Sequence, residues 1–166
     1  MIDITKLNDM YEVRLLLDSD IGMMLDICRG NTLFNQYCRQ EPTAELLLDD
    51  KHTIPEGSLM INRYYLGLFK GNSLVAMLDY IDEWPKSDYG YLRFFIVDIS
   101  FQGKQVGTSI IQQFFSYLKS IGRSKVVFGV VADNPQANHF WKKNGCICVD
   151  TCALDNLNAN IVEKIL

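Results

Sequence analysis

Apolar residues recur along this chain in two rhythms, and the change from one to the other supplies its element map. Residues 63–70 (RYYLGLFK) and 73–82 (SLVAMLDYID) read as two strands joined by Gly71-Asn72, a pair suited to the positive backbone angles of a tight hairpin. The connection 83–88 (EWPKSD) leads into a long strand from Tyr89 to Ile99. The rhythm then becomes helical: Val106, Ile110, Ile111, Phe114, Phe115, Leu118 and Ile121 fall on one stripe, ending near Gly122. KVVFGVV, residues 125–131, reads as a buried central strand with a helix crossover before it. Asn134 caps a second helix, Pro135 takes its first position, and Gly145 closes it after Lys142 and Lys143. Residues 146–152 and about 160–166 form the last strands.

Before the hairpin the pattern is weaker. Tyr11 to Leu17 reads as a first strand, and Asp18 or Ser19 caps a helix to about Arg29 that buries Met23, Met24 and Ile27. A further helix runs from about Thr43 to Lys51, entered after Pro42 and carrying Leu46, Leu47 and Leu48. The chain between these helices reads as irregular, and residues 52–62 as a loop near a substrate entrance. The order is strand, two helices, three strands, helix, strand, helix and one or two strands. No repeat or linker interrupts it, so residues 1–166 are expected to form one domain of the α/β (α+β) class.

Composition narrows the function classes. Apolar residues make up 48% and charged residues 22% of the 166, which suits a globular domain with its own core. No apolar run nears the ~20 residues of a membrane span, and the N-terminus lacks a signal-peptide order, so a cytoplasmic protein is expected. A net charge of −4 with scattered Lys and Arg argues against nucleic-acid binding. Cys28, Cys38, Cys146, Cys148 and Cys152 fit reduced thiols. The last three lack zinc spacing, and strand alternation puts them on one face as small buried side chains, so no metal is expected. Exposed strand edges leave both a monomer and a homodimer open.

The candidate chemistry lies where the long strand meets the helix stripe. Gly103, Lys104 and Gly107 sit in a polar turn, and a strand-turn-helix of this kind points backbone N–H groups and a helix N-terminus at one place, as a phosphate cradle does. A doubly wound nucleotide-binding fold would offer the same device. Antiparallel hairpins precede the turn, however, and it lacks the lysine and hydroxyl residue of a P-loop.

Val97-Asp98 followed by Gln102-Gly103-Lys104-Gln105-Val106-Gly107-Thr108, then Asn134-Pro135-Gln136-Ala137 and Phe140-Trp141-Lys142-Lys143-Asn144-Gly145, resembles the GNAT superfamily of acetyl-CoA-dependent N-acetyltransferases. The likeness is clearest over residues 94–149, and the first 60 residues carry no motif. It implies a mixed, mostly antiparallel central sheet of six to seven strands flanked by about four helices. It also implies bound acetyl-CoA and an amine acceptor. The pyrophosphate would lie on the backbone of Gly103, Lys104, Gln105, Val106, Gly107 and Thr108, after Gln102. Gln105 stands where the family's turn usually has its first glycine. Phe95, Ile96 and Val97 would face the pantetheine arm where the strand splays from its neighbour, and Asn134 would contact the cofactor, cap its helix, or do both.

Trp141 stands where many relatives have a tyrosine that protonates the departing thiolate, and an indole N–H lacks that acidity. Hydrogen bonding to the sulfur, packing on the pantetheine and a plain core position all remain open for it. The general base is open too. Asp79, placed roughly opposite Arg93, orients a substrate amine or forms a cross-strand ion pair. Glu83 and Tyr91 are further candidates, ahead of His52 and an outward-facing His139. The expected activity is acetyl transfer to a primary amine of a small molecule, peptide or protein. The alternative is a catalytically silent acyl-CoA-binding module with a regulatory role.

Overall fold

The computed structural model describes residues 2–154 and 157–166. Its strands are β1 (Glu12–Leu15), β2 (Arg63–Lys70), β3 (Ser73–Asp82), β4 (Tyr89–Val97), β5 (Lys125–Val131), β6 (Ile147–Leu154) and β7 (Leu157–Ile165). The α-helices are α1 (Ile21–Gly30), α2 (Thr32–Cys38), α3 (Ala44–His52), α4 (Val106–Ser120) and α5 (Pro135–Lys143). One seven-stranded sheet runs in the order β1-β2-β3-β4-β5-β7-β6. β4 and β5 are parallel, as the α4 crossover between them requires, and the other neighbours are antiparallel. The class expected from the sequence is the class observed, with five α-helices in place of about four.

The additional helix is α2, in the stretch read as irregular. It buries none of its residues completely, so it carries little of the apolar stripe that marks a helix in sequence. The α3 boundary follows from Thr43, whose side chain accepts from the Leu46 N–H at 3.2 Å. At α1 the expected cap is replaced: Asp20 occupies that position, and its carboxylate serves Arg14 at 2.7 and 2.9 Å and the Leu17 N–H at 2.8 Å.

Alternation along the strands divides the core in two. On one face Leu66, Leu78, Tyr80, Val126 and Val162 pack with Ile111, Phe114 and Leu118 of α4 and Trp141 of α5. On the other, Tyr65, Met77 and Ile96 pack with Met24 and Ile27 of α1, and with Phe34 and Leu47 at the edge. Each fully buried large side chain contributes about 1.5–3 kcal/mol. KVVFGVV is therefore not buried on both faces. Val126, Phe128 and Val130 face the α4 core, while Gly129 is exposed.

Cys146 is buried, but Cys148 is exposed and Cys152 half-buried, which corrects the reading of three buried cysteines on one face. A register shift between Cys148 and Asp150 breaks the alternation, and β6 is an edge strand.

Candidate active site

The site forms where two neighbouring strands part. β4 and β5 pair only through Tyr89, Gly90 and Tyr91 against Lys125, Val126 and Val127, and then separate. Between them lies a cleft of about 690 Å³, within the usual range for a ligand site. Trp141 packs 4.4 Å from Phe128 and 6.0 Å from Phe95 between ring centroids, and Phe95 stacks on Phe140 at 6.0 Å. These four rings line the α4–α5 side of the cleft. Phe34 and Phe94, edge to face at 5.6 Å, line the side toward α2. The cleft thus passes through the sheet from one face to the other.

β4 owes its shape to an irregularity that the sequence does not announce. Asp79 lies opposite Phe94 and Tyr80 opposite Leu92, so Arg93 is an extra residue on β4 and not the register partner of Asp79. Arg93 still reaches Asp79 at 3.2 Å. Asp79 is fully buried, and Arg63 holds both its oxygens at 2.9 and 2.7 Å. Burial pushes the Asp79 carboxyl up, while Arg63 and Arg93 oppose that shift. Arg63 also donates to the carbonyls of Asp50, Lys51 and Thr53, and Arg93 to Asp50 Oδ1 and the Thr53 carbonyl. Two guanidinium groups therefore cap the C-terminus of α3 and fasten it to the sheet. Asp79 does not line the cleft, and both its oxygens face guanidinium groups, so in this structure it anchors the network.

The other proposed bases differ in placement. Glu83 pairs with Arg123 at 3.1 Å, and burial raises the Tyr91 hydroxyl above its ordinary range. His52 lies 3.4 Å from Asp18, away from the cleft lining. His139 is exposed, as expected, and lines the cleft from α5.

Of the residues proposed for the cofactor, Phe95, Ile96, Val97, Gln102, Gly103, Gln105, Val106, Gly107, Thr108, Asn134 and Trp141 line the cleft. Lys104 does not, and its ammonium donates to the Ser100 carbonyl at 2.9 Å. Gly103 and Gln105 both have left-handed backbones, with φ of 72° and 62°. Only Gly103 takes that angle without steric cost. The turn delivers the chain into α4, whose first N–H groups lack intrahelical acceptors and border the cleft. A Cβ added at Gly103 would meet nothing within 4 Å, so that side of the turn is open. At Gly107 it would lie 3.3 Å from Phe140 and 3.4 Å from Val97, so this glycine lets α4 approach β4 and α5.

Gln102 turns its amide inward, donating to the Val97 carbonyl at 2.8 Å and to Asn31 Oδ1 at 2.5 Å. Asn31, between α1 and α2, donates to the carbonyls of Ile27 at 2.9 Å and Val97 at 3.2 Å. Sequence reasoning missed Asn31; its only signal was its place as a capping residue. Asn134 is buried and caps α5 by accepting from the Ala137 N–H at 3.0 Å.

The fold is shared with solved acetyltransferases. The chain superposes on an acetyltransferase from Thermus thermophilus with a TM-score of 0.74 and 18% identity, covering 93% of this chain and 96% of that one. PaiA N-acetyltransferase from Thermoplasma acidophilum, in complex with coenzyme A, gives 0.67 and 17%, over 95% and 100% of the two chains. The ribosomal-protein-S18-alanine N-acetyltransferase from Escherichia coli gives 0.66 and 14%, over 93% and 92%. No curated protein sequence matches. Among the described residues no helix is long and apolar enough to cross a membrane. The acetyltransferase (GNAT) family model matches residues 28–146, most of the chain and all of the cleft's turn and strands, and the protein therefore belongs to the GNAT acetyltransferase family.

Proposed function

We propose that this protein transfers the acetyl group of acetyl-CoA to a primary amine. The observation that carries the reading is the parting of β4 and β5 beside the N-terminus of α4. The residues suit acetyl-CoA in two ways. The open turn at Gly103 and the first amides of α4 offer donors to a pyrophosphate. The edge of β4 that leaves β5 after Tyr91 offers backbone groups to an extended, amide-bearing arm. Acetyl-CoA supplies the activated acyl group. The chain's own part is to hold the two reactants together, to exclude water with Phe95, Phe128, Phe140 and Trp141, and to present β4 N–H groups to a carbonyl oxygen that gains charge.

Isothermal titration tests the binding half and thiol release with an amine panel the transfer half. Acetyl-CoA is expected to bind, and absence of binding at high micromolar concentration overturns the reading. Gly107→Glu is a poor probe of the cradle, because a Cβ there faces Phe140 and Val97 and perturbs packing first. A catalytically silent acyl-CoA-binding module is the second reading. It is favoured by Trp141 at the position of the family's tyrosine acid and by the locked Asp79. That reading requires acetyl-CoA binding without thiol release for any amine.

A further inference from the structure

The cofactor half of the cleft and its far half differ in chemistry. Toward α2 the lining is Thr32, Leu33, Phe34, Cys38, Phe94 and Ile96. Among the described residues that line the cleft none is Asp or Glu, and the charged side chains are Arg93 and Lys143. Several nearby carboxylates are held elsewhere: Asp79 by Arg63 and Arg93, Asp50 by Arg63 and Arg93, Asp82 and Glu83 by Arg123, and Glu163 by Lys125, while Asp133, between the lining residues Val131 and Asn134, is exposed just before α5. The Asp98 carboxylate accepts from the Ser100 N–H at 2.8 Å. Burial raises the Cys38 thiol, which faces this half. His139 enters from α5, whose core lies on the sheet face opposite α2.

We infer, on the basis of the transfer activity proposed above, that the acceptor is the free α-amino group of a polypeptide with an apolar first side chain. A lysine ε-amine or a polyamine is the poorer acceptor. A nucleophilic amine must be neutral, and among the described residues lining this half of the cleft none is a carboxylate that could take its proton or pair its charge. An α-amine with a pKa of about 7.7–8.0 is roughly one-third neutral at pH ~7.5, whereas a lysine amine with a pKa of about 10.4 is neutral in about one molecule per thousand. Leu33, Phe34, Phe94 and Ile96 suit an apolar side chain beside that amine.

The sheet face beside this half is uncovered at Gly129 of β5. Gly129, which lines the cleft, is exposed and lies in register with Ile161 of β7, which in turn faces Asp150 of β6. Asp150 is thus two strand spacings, ~10 Å, from Gly129.

The test compares three acceptors at pH ~7.5 with saturating acetyl-CoA. They are a lysine-free peptide with an N-terminal Leu and a free α-amine, the same peptide α-acetylated and carrying one lysine, and spermidine. The α-amine peptide is expected to exceed the other two at least tenfold in kcat/KM. Its rate should rise with pH as its own amine loses its proton, and the rise should shift when the peptide's amine pKa is lowered. Phe34→Asp is expected to reduce the α-amine preference at least tenfold while leaving acetyl-CoA affinity, measured by titration, unchanged. Equal or greater turnover of the lysine peptide or spermidine overturns the inference while leaving the transferase reading intact. Acetyl-CoA bound with none of the three acetylated also overturns it, and failure to bind acetyl-CoA overturns the transferase reading itself.

Discussion

β4 has two edges, and they are built for opposite ends. Toward β3 it is paired from Gly90 to Val97, and the ion-pair network of Arg63, Asp79 and Arg93 spans β2, β3 and β4. Toward β5 it is paired at three residues and then released. The bulge at Arg93 belongs to the closed edge, yet it directs both Arg93 and Phe94 toward the α2 side. The ladder and ion pairs fix the register on one edge, while the other edge stands open. Holding a reactive geometry takes fixed supports on elements that do not themselves move.

The largest effect should come from cutting the closed edge. Asp79→Ala leaves the buried Arg63 guanidinium with only the half-exposed Asp50 carboxylate, 3.7 Å away, as counter-charge, at a cost of about 3–5 kcal/mol in denaturant unfolding. Wild-type stability would break the view that this network holds β4. Next comes the point where both edges are still paired. A Cβ at Gly90 would lie 2.1 Å from the Tyr80 hydroxyl, so Gly90→Ala should cost about 1–3 kcal/mol by overpacking. A thermal melt checks it, and no loss would mean that Tyr80 has room to move.

The smallest effect lies at the open mouth. Gln105 holds a left-handed backbone at a cost of about 1–2 kcal/mol, set against the greater unfolded-state freedom of glycine. Gln105→Gly should therefore stabilise by up to about 1 kcal/mol. Acetyl-CoA affinity, if the cradle acts through main-chain amides, should be unchanged. A large loss of affinity would instead give the Gln105 side chain a direct role.

Much of this arrangement was legible in the sequence because local signals agreed with the final fold. The hairpin of β2 and β3, the α4 stripe, and the capping of α5 by Asn134 and Pro135 each carry their own chemistry in adjacent residues. Gln105, flagged as a departure from a glycine position, does adopt the angle that glycine would take most easily. What was not legible depends on contacts distant in sequence. Arg63 and Asp79 are 16 residues apart and meet only once β2 and β3 are in register. The extra residue at Arg93 appears only as a mismatch between two strands, and α2 lacks the buried stripe that would mark it. The open face at Gly129 depends on where helices are not placed, which apolar content alone does not record.

The early end of the β4–β5 ladder also has a thermodynamic consequence. A ligand that binds the parted strands in the folded chain, and not in the unfolded one, adds its binding free energy to folding stability. At a hundredfold excess over Kd the gain is about 2.7 kcal/mol, comparable to a core side chain. Occupancy and unfolding are then one linked equilibrium. The backbone amides of residues 92–97 are where hydrogen exchange should register it, by slowing as ligand is added.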